Sequence, residues 1–339
     1  MKIALLNLAN NITDIKTVSS GETIYLKKTI ELLGHKVDII SKSEGQYSIA
    51  FEDVKDINDY DRLLVINGAI NFFGGKENPI ITNNFKLMAK YKNRIDYLLT
   101  DLRLPFKQLW PSIEKRDWGY QREEVWVNSP IRVITQTHNL EITQKIMPDH
   151  EAVYFPLERY ILLFPQNQFV SSFKMADLIY GGSFRAGNRQ KKMIEYFFDT
   201  DYSVEFYGSA KESQFNMPFT KPPLFTSKIP MNETISKNSE GYASIIIGDD
   251  NYNNNMLTLR VWETMMSEAV CLIDHDFDPE HKIMEDDWYY VRNKEDVARK
   301  IGEIKGNENS REIFLEHQHR RIYELFNKEE FLQRLEEIL

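Results

Sequence analysis

Ile3-Ala4-Leu5-Leu6-Asn7-Leu8 opens the chain, and Val37-Asp38-Ile39-Ile40 follows farther on. Between them, Glu22 to Leu33 carries Leu26, Ile30 and Leu33 at i, i+4 and i+7, one face of a helix. Gly34 then stands where a helix stop belongs. The first run is apolar without alternation, as in a strand buried on both faces of a parallel sheet. Together these residues predict a strand–helix–strand unit. The same pattern continues through strands at Leu63–Ile66, Tyr97–Leu99 and Val133–Thr135. A second series starts near Ala176. Strand Leu178-Ile179-Tyr180 is followed by a turn at Gly181-Gly182-Ser183, a helix from Arg189 to Phe198 and strand Val204-Glu205-Phe206-Tyr207. Strand Ser244–Ile247, helix Thr258–Ser267 and strand Val270–Ile273 come next, and Arg311 to Leu339 reads as helical. Periodicity is weak from Pro156 to Lys174, which places the domain boundary there. The expected class is α/β, with two parallel-sheet domains and a cleft between them. Ligands of such sheets bind beyond the carboxyl ends of the strands.

The length of 339 residues accommodates two hydrophobic cores. Hydrophobic residues at 42% and charged residues at 27% exclude a disordered chain, a collagen-like chain and a polytopic membrane protein. Forty-two basic and 51 acidic residues give a net charge of −9, so any contact with nucleic acid must come from a local patch. One such patch is legible. From Lys76 to Arg122 there are ten basic and five acidic residues, interleaved with Phe72, Phe73, Trp110, Trp118 and Tyr120. That mixture suits phosphate contact with base stacking or wedging, or else a solvated face over core aromatics. A single cysteine, Cys271, excludes an internal disulfide and reads as a buried small hydrophobe. No signal-peptide core and no run long enough to span a bilayer is present, so a cytoplasmic location is expected.

Three constellations carry chemistry. In Gly181-Gly182-Ser183-Phe184-Arg185-Ala186-Gly187-Asn188-Arg189, backbone amides and two guanidiniums suit a diphosphate, Arg185 and Arg189 sharing a face if the turn is already helical. The segment lacks the ending of a P-loop and the spacing of a dinucleotide fingerprint. In Thr258-Leu259-Arg260-Val261-Trp262-Glu263-Thr264-Met265, a carboxylate can accept hydrogen bonds from vicinal sugar hydroxyls, with an arginine beside it for a phosphate. The structural alternative is a surface i,i+3 ion pair. Asp101 follows strand Tyr97–Leu99 and can act as a general base, or simply cap a turn; Glu22, at the start of the first helix, poses the same choice. Asp274-His275-Asp276 has the spacing of a metal-binding Asp-x-Asp but is expected to be a surface loop, and His317 and His319 diverge on a helix. No dedicated metal ligands are expected.

Several blocks, in order from near the N-terminus to about residue 290, resemble the DNA β-glucosyltransferases of T-even bacteriophages. They are Glu22-Thr23-Ile24-Tyr25-Leu26, Asp59-Tyr60-Asp61-Arg62-Leu63, Ile70-Asn71-Phe72-Phe73-Gly74-Gly75-Lys76, Met88-Ala89-Lys90-Tyr91-Lys92, Thr100-Asp101-Leu102-Arg103-Leu104-Pro105-Phe106, Ile179-Tyr180-Gly181-Gly182-Ser183-Phe184-Arg185, Lys228-Ile229-Pro230-Met231-Asn232 and Thr258 to Met265. The resemblance implies a GT-B glycosyltransferase fold: two Rossmann-like domains with a central cleft and a C-terminal helix crossing back. The expected domains are then 1–168 with about 325–339, for acceptor DNA, and 169–324, for the UDP-sugar.

The activity it implies is inverting transfer of a sugar from a UDP-sugar to 5-hydroxymethylcytosine in double-stranded phage DNA, which protects that DNA from nucleases. By the same resemblance Asp101 is the base and Glu22 sits by the sugar. Val18, Gly182, Ser183, Arg185, Arg189, Ile229, Asp249, Tyr252, Arg260 and Glu263 bind the donor. Asn71, Phe73, Gly75, Lys90 and Arg103 meet the DNA. A divalent cation, Mg or Mn, assists as a stimulant, and the protein is expected as a monomer in the cytoplasm of the infected host cell. Gly21 replaces a family serine beside Glu22. UDP-glucose is the leading donor; UDP-arabinose or another UDP-sugar, and a non-catalytic DNA-binding homologue, remain alternatives.

Overall fold

Two six-stranded parallel sheets carry the chain in the computed structural model, which describes residues 1–7, 18–41, 57–66, 90–99, 132–146, 151–164, 173–184, 187–215, 218–249 and 252–339. Contacts group the residues into two units. One comprises Met1–Tyr160, Asn255–Leu257 and Lys328–Leu339; the other comprises Ile161–Asn254 and Thr258–Asn327.

In the first unit β1 (Lys2–Asn7), β2 (Lys36–Ser41), β3 (Arg62–Ile66), β4 (Ile95–Leu99), β5 (Arg132–Thr135) and β6 (Glu151–Tyr154) lie in the order β2-β1-β3-β4-β5-β6. Ile3 pairs with Val37 on one side and with Arg62 on the other. Ile3, Ala4, Leu5, Leu63, Leu64 and Val65 are fully buried, as their unalternating apolar runs require. Helix α1 (Val18–Leu32) begins four residues before the start that periodicity predicts, so Glu22 sits in its second turn rather than at its N-terminus. Its polar first turn, with Ser19, Ser20 and Gly21, carries no apolar period to mark it. Gly34, at φ +81°, takes the left-handed conformation that ends the helix. A further helix, α2 (Leu140–Ile146), connects β5 and β6.

In the second unit β7 (Ala176–Gly182), β8 (Val204–Gly208), β9 (Leu224–Thr226), β10 (Gly241–Ile246), β11 (Val270–Asp274) and β12 (Tyr290–Val291) lie in the order β12-β11-β10-β7-β8-β9. The helices are α3 (Asn188–Phe197), α4 (Thr234–Asn238), α5 (Leu259–Met265), α6 (Lys294–Gly306) and α7 (Glu308–Leu325). The last helix, α8 (Lys328–Ile338), belongs to the first unit. There Phe331 packs on Phe155 with centroids 4.9 Å apart.

Sequence and structure differ at two informative places. Gly181 and Gly182 are not a turn but the last residues of β7, paired with Tyr207 and Gly208. A Cβ on Gly181 would stand 2.1 Å from the Tyr207 ring, so glycine there serves close approach rather than chain reversal. Helix α3 starts only after Gly187, at φ +93°, so Arg189 stands in its first turn, while Arg185 lies outside the described residues. Asp274 is no loop residue: it ends β11, 1% exposed, and accepts the Tyr196 hydroxyl.

Candidate active site

Counted from β7, the second sheet has the order 3-2-1-4-5-6, and the order reverses between β7 and β10. Both strands end at this switch point, where ligands of open parallel sheets bind. After β7 come Ser183 and, at the start of α3, Arg189; after β10 come Gly248, Asp249 and Tyr252. The topology thus brings together two stretches that lie far apart in the chain.

Arg189 is buried in the first turn of α3. Its Nη2 donates to the Tyr180 hydroxyl. Its Nε is buried too, with no hydrogen-bond partner among the described residues. Burial pulls its pKa down, but Tyr180, Asp249 and Tyr252 outweigh that, so the guanidinium stays charged. Arg260, in the first turn of α5, lies over the face of the same Tyr180 ring, 5.3 Å from its centroid. One turn on, Glu263 is 5% exposed. It is not the surface partner of an ion pair. Burial raises its carboxyl to a pKa of about 7, against the pull of Arg260 and a hydrogen bond from the Thr234 side chain.

Asp249 is buried, and its carbonyl accepts the amides of Tyr252 at 2.9 Å and Asn253 at 3.0 Å, which folds the loop back on itself. Ile229 lies partly exposed in the loop after β9, and its backbone N–H and C=O have no hydrogen-bond partner among the described residues. Gly182 ends β7 with its carbonyl bonded to the Ser209 amide at 3.1 Å, and Ser183 follows, partly exposed. Among the residues expected to bind a sugar nucleotide, the structure brings Gly182, Ser183, Arg189, Asp249, Tyr252, Arg260 and Glu263 to one end of one sheet. Two further residues of the site, Tyr180 and Thr234, lie outside that set. The sequence signal for Tyr180 is its place just before two glycines at a strand end; nothing local marks Thr234.

The remaining expectations fall in the first unit or outside the described residues. Glu22 is half-buried on α1, and Val18 is the first residue of that helix. Lys90 is exposed beside Tyr91, with its Nζ 5.1 Å from the ring centroid. Arg94, counted in the basic segment, is engaged structurally: it donates to the Tyr60 carbonyl and lies over Tyr91. Asp101, Arg103, Asn71, Phe73, Gly75 and Arg185 lie outside the described residues, as do the aromatics Phe72, Trp110, Trp118 and Tyr120. Strand β4 ends two residues before Asp101.

Among the described residues no group of three His, Cys, Asp or Glu side chains is arranged to hold a metal ion. The Asp274 and Asp276 carboxylates are both taken by the Lys192 ammonium, at 3.1 Å each. His319 is engaged by the Ser267 carbonyl. Asp274, Asp276 and His319 therefore do not form a metal site. Among the described residues, no helix is long and apolar enough to cross a membrane.

A doubly wound sheet that gathers guanidiniums and a buried carboxylate at its switch point, in a chain with a second parallel sheet, is the plan of a GT-B glycosyltransferase. The sequence profile of the bacteriophage T4 beta-glucosyltransferase family matches residues 1–161. The DNA beta-glucosyltransferase of Enterobacteria phage T4 is 49% identical over 329 residues, 94% of this chain and 93% of its own. The crystal structure of the T4 phage enzyme in complex with its UDP-glucose substrate superposes with a TM-score of 0.81 at 45% identity, over 99% of each chain. The T4 enzyme with UDP and Mn2+ also gives a TM-score of 0.81, at 46% identity over 99% of each chain. The chain belongs to the T4-type DNA beta-glucosyltransferase family, and it is a DNA beta-glucosyltransferase.

Proposed function

We propose that this enzyme moves glucose from UDP-glucose to the hydroxymethyl oxygen of 5-hydroxymethylcytosine in double-stranded DNA, with inversion to a β linkage. The observation that carries the reading is the convergence of Arg189, Arg260 and Glu263 at the switch point, in a chain 49% identical to the T4 enzyme. The donor half is residues 169–324; the acceptor half is 1–168 with about 325–339.

In the reaction the acceptor oxygen attacks the anomeric carbon from the face opposite UDP, and Asp101 takes its proton. The bond from that carbon to the phosphate oxygen breaks, and negative charge grows on the departing diphosphate. Arg185, Arg189 and Arg260, with the amides near Gly182 and Ser183, stabilise that charge. Glu263 accepts hydrogen bonds from donor hydroxyls, Glu22 and Val18 flank the sugar, and the backbone of Ile229 reads uracil. Asp249 and Tyr252 close the same pocket.

The C5 hydroxymethyl group of a stacked cytosine faces the major groove, but its oxygen must reach the anomeric carbon inside the donor site. The cytosine is therefore flipped out at a cost of about a few kcal/mol, with Phe73 or a neighbour such as Asn71 filling the gap. Gly75, Lys90 and Arg103 contact the duplex around it. The product is phage DNA shielded from nucleases, made by a monomer in the cytoplasm of the infected host cell.

Mass spectrometry of product nucleosides, after incubation of hydroxymethylated duplex DNA with a panel of UDP-sugars, tests the reading. Glucosylated hydroxymethylcytosine is the expected product, and UDP release should require the modified DNA. A pentose product would reassign the donor. Asp101→Ala should abolish turnover while leaving UDP affinity within twofold; unchanged turnover would remove Asp101 from the role of base.

A further inference from the structure

Three parts of the proposed diphosphate site meet on one side chain that no part of the reaction yet uses. Tyr180 is completely buried in β7. Its hydroxyl accepts from Arg189 Nη2. Its ring face lies under the Arg260 guanidinium, 5.3 Å from centroid to Cζ. Its edge packs on Gly182 so closely that a Cβ there would stand 2.8 Å from the ring and 3.0 Å from the hydroxyl oxygen. Phe197 and Phe206, with centroids 5.0 Å away, wedge the ring from α3 and β8.

We infer that Tyr180 is a positioning residue for the donor: its hydroxyl sets Arg189 and its ring face sets Arg260, so both guanidiniums stand ready before the diphosphate arrives. This inference rests on the donor-site reading given above. Two cations at one site repel each other and need an organiser. A carboxylate would supply one, but it would also neutralise the charge that the leaving group requires. A phenol offers a lone pair to one guanidinium and a negative ring face to the other while staying neutral. Asp249 acts on Arg189 and Glu263 on Arg260 through space, while Tyr180 touches both guanidiniums directly. Because the ring is wedged by aromatic neighbours, both arginines inherit a fixed reference, which is the preorganisation that transition-state stabilisation needs.

Titration calorimetry with UDP on Tyr180→Phe, Tyr180→Leu, Arg189→Ala, Arg260→Ala and the paired double variants tests this. Tyr180→Phe should weaken UDP binding about tenfold, measured well below its melting temperature, and should add nothing in the Arg189→Ala background. Tyr180→Leu should weaken binding further, and that extra loss should vanish in the Arg260→Ala background. A merely structural tyrosine would instead lower the melting temperature without changing UDP affinity in the folded protein, or would multiply with both arginine variants. Wild-type affinity in Tyr180→Phe, or full additivity with Arg189→Ala, would overturn the proposal. The phenylalanine variant lacks a single oxygen and decides the matter even if the leucine variant does not fold. An Arg189→Ala enzyme that binds UDP as tightly as the wild type would instead overturn the donor-site reading, and the inference with it.

Discussion

Burial lifts the Glu263 carboxyl to a pKa of about 7, and this couples its charge to stability and, at the proposed donor site, to binding. The folded value exceeds the ordinary one of 4.5, so the native state holds its proton more tightly than the unfolded chain does. Stability from this group is complete below pH 4.5 and is lost as pH rises towards 7. Glu263→Gln should therefore be more stable than the wild type at pH 8, by up to about 3 kcal/mol, and equal to it near pH 4. Urea melts at the two pH values check this. If the ionised carboxylate accepts donor hydroxyls, the KM for UDP-glucose falls as pH rises through 7 in the wild type, and the glutamine variant loses that dependence. Cys271 shows the same physics without function. Fully buried and with its thiol pushed up by desolvation, it should stay inert to a thiol reagent until the protein is unfolded.

Glycines that pattern reading takes for a turn are, at the element scale, what lets β7 and β8 run side by side. Gly208 sits at φ +139°, and a Cβ on it would meet the Gly182 carbonyl at 1.9 Å. Gly208→Ala should cost more than about 1 kcal/mol and, if the amides at the displaced strand end hold the diphosphate as proposed, should also weaken UDP binding. Thermal melts and calorimetry with UDP would show both effects. A second element is held by charge. Asp96, 1% exposed, takes Arg132 Nε at 2.7 Å, while Arg132 Nη2 donates to the Ile338 carbonyl and Arg62 Nε to that of Leu339. Helix α8 thereby presents its carbonyl end to two arginines, as the helix dipole favours. Arg132→Met removes the closer of two partners of the Asp96 carboxylate, leaving Arg62 at 3.8 Å, and frees the Ile338 carbonyl. The expected loss is about 3 kcal/mol in chemical denaturation, and Asp96→Asn in the same background should recover part of it.

On the scale of the whole molecule, an acidic chain acts on a polyanion. With a net charge of −9, attraction to DNA needs a local basic patch, and the stretch between Lys76 and Arg122 is the one proposed for it. The KM for hydroxymethylated DNA should then rise steeply from 50 to 200 mM salt, by about tenfold or more, while UDP affinity changes far less. Steady-state kinetics at the two salt concentrations separates the effects; equal sensitivity would place the basic stretch elsewhere than on the DNA. The same scale explains why helices α6 and α7 close the second unit. Gln318 of α7, fully buried, donates to the Met265 and Ala269 carbonyls and accepts the Cys271 amide at 2.6 Å, tying helix to sheet from far along the chain.

The alternation of strands and helices, their parallel class and the positions of Arg189, Asp249, Arg260 and Glu263 just beyond strand ends were all determined by the sequence alone. Apolar periodicity and glycine punctuation are local properties, written in neighbouring residues. Strands β9 and β12, three and two residues long, were not legible, because such short segments hold no period and exist only by pairing with β8 and β11. Tertiary structure alone decided the order of the strands, the burial of Glu263 and the meeting of Arg189 and Arg260 on Tyr180. Each depends on which surfaces are removed from water when residues remote in the chain pack together, and desolvation, unlike periodicity, has no signature in adjacent residues.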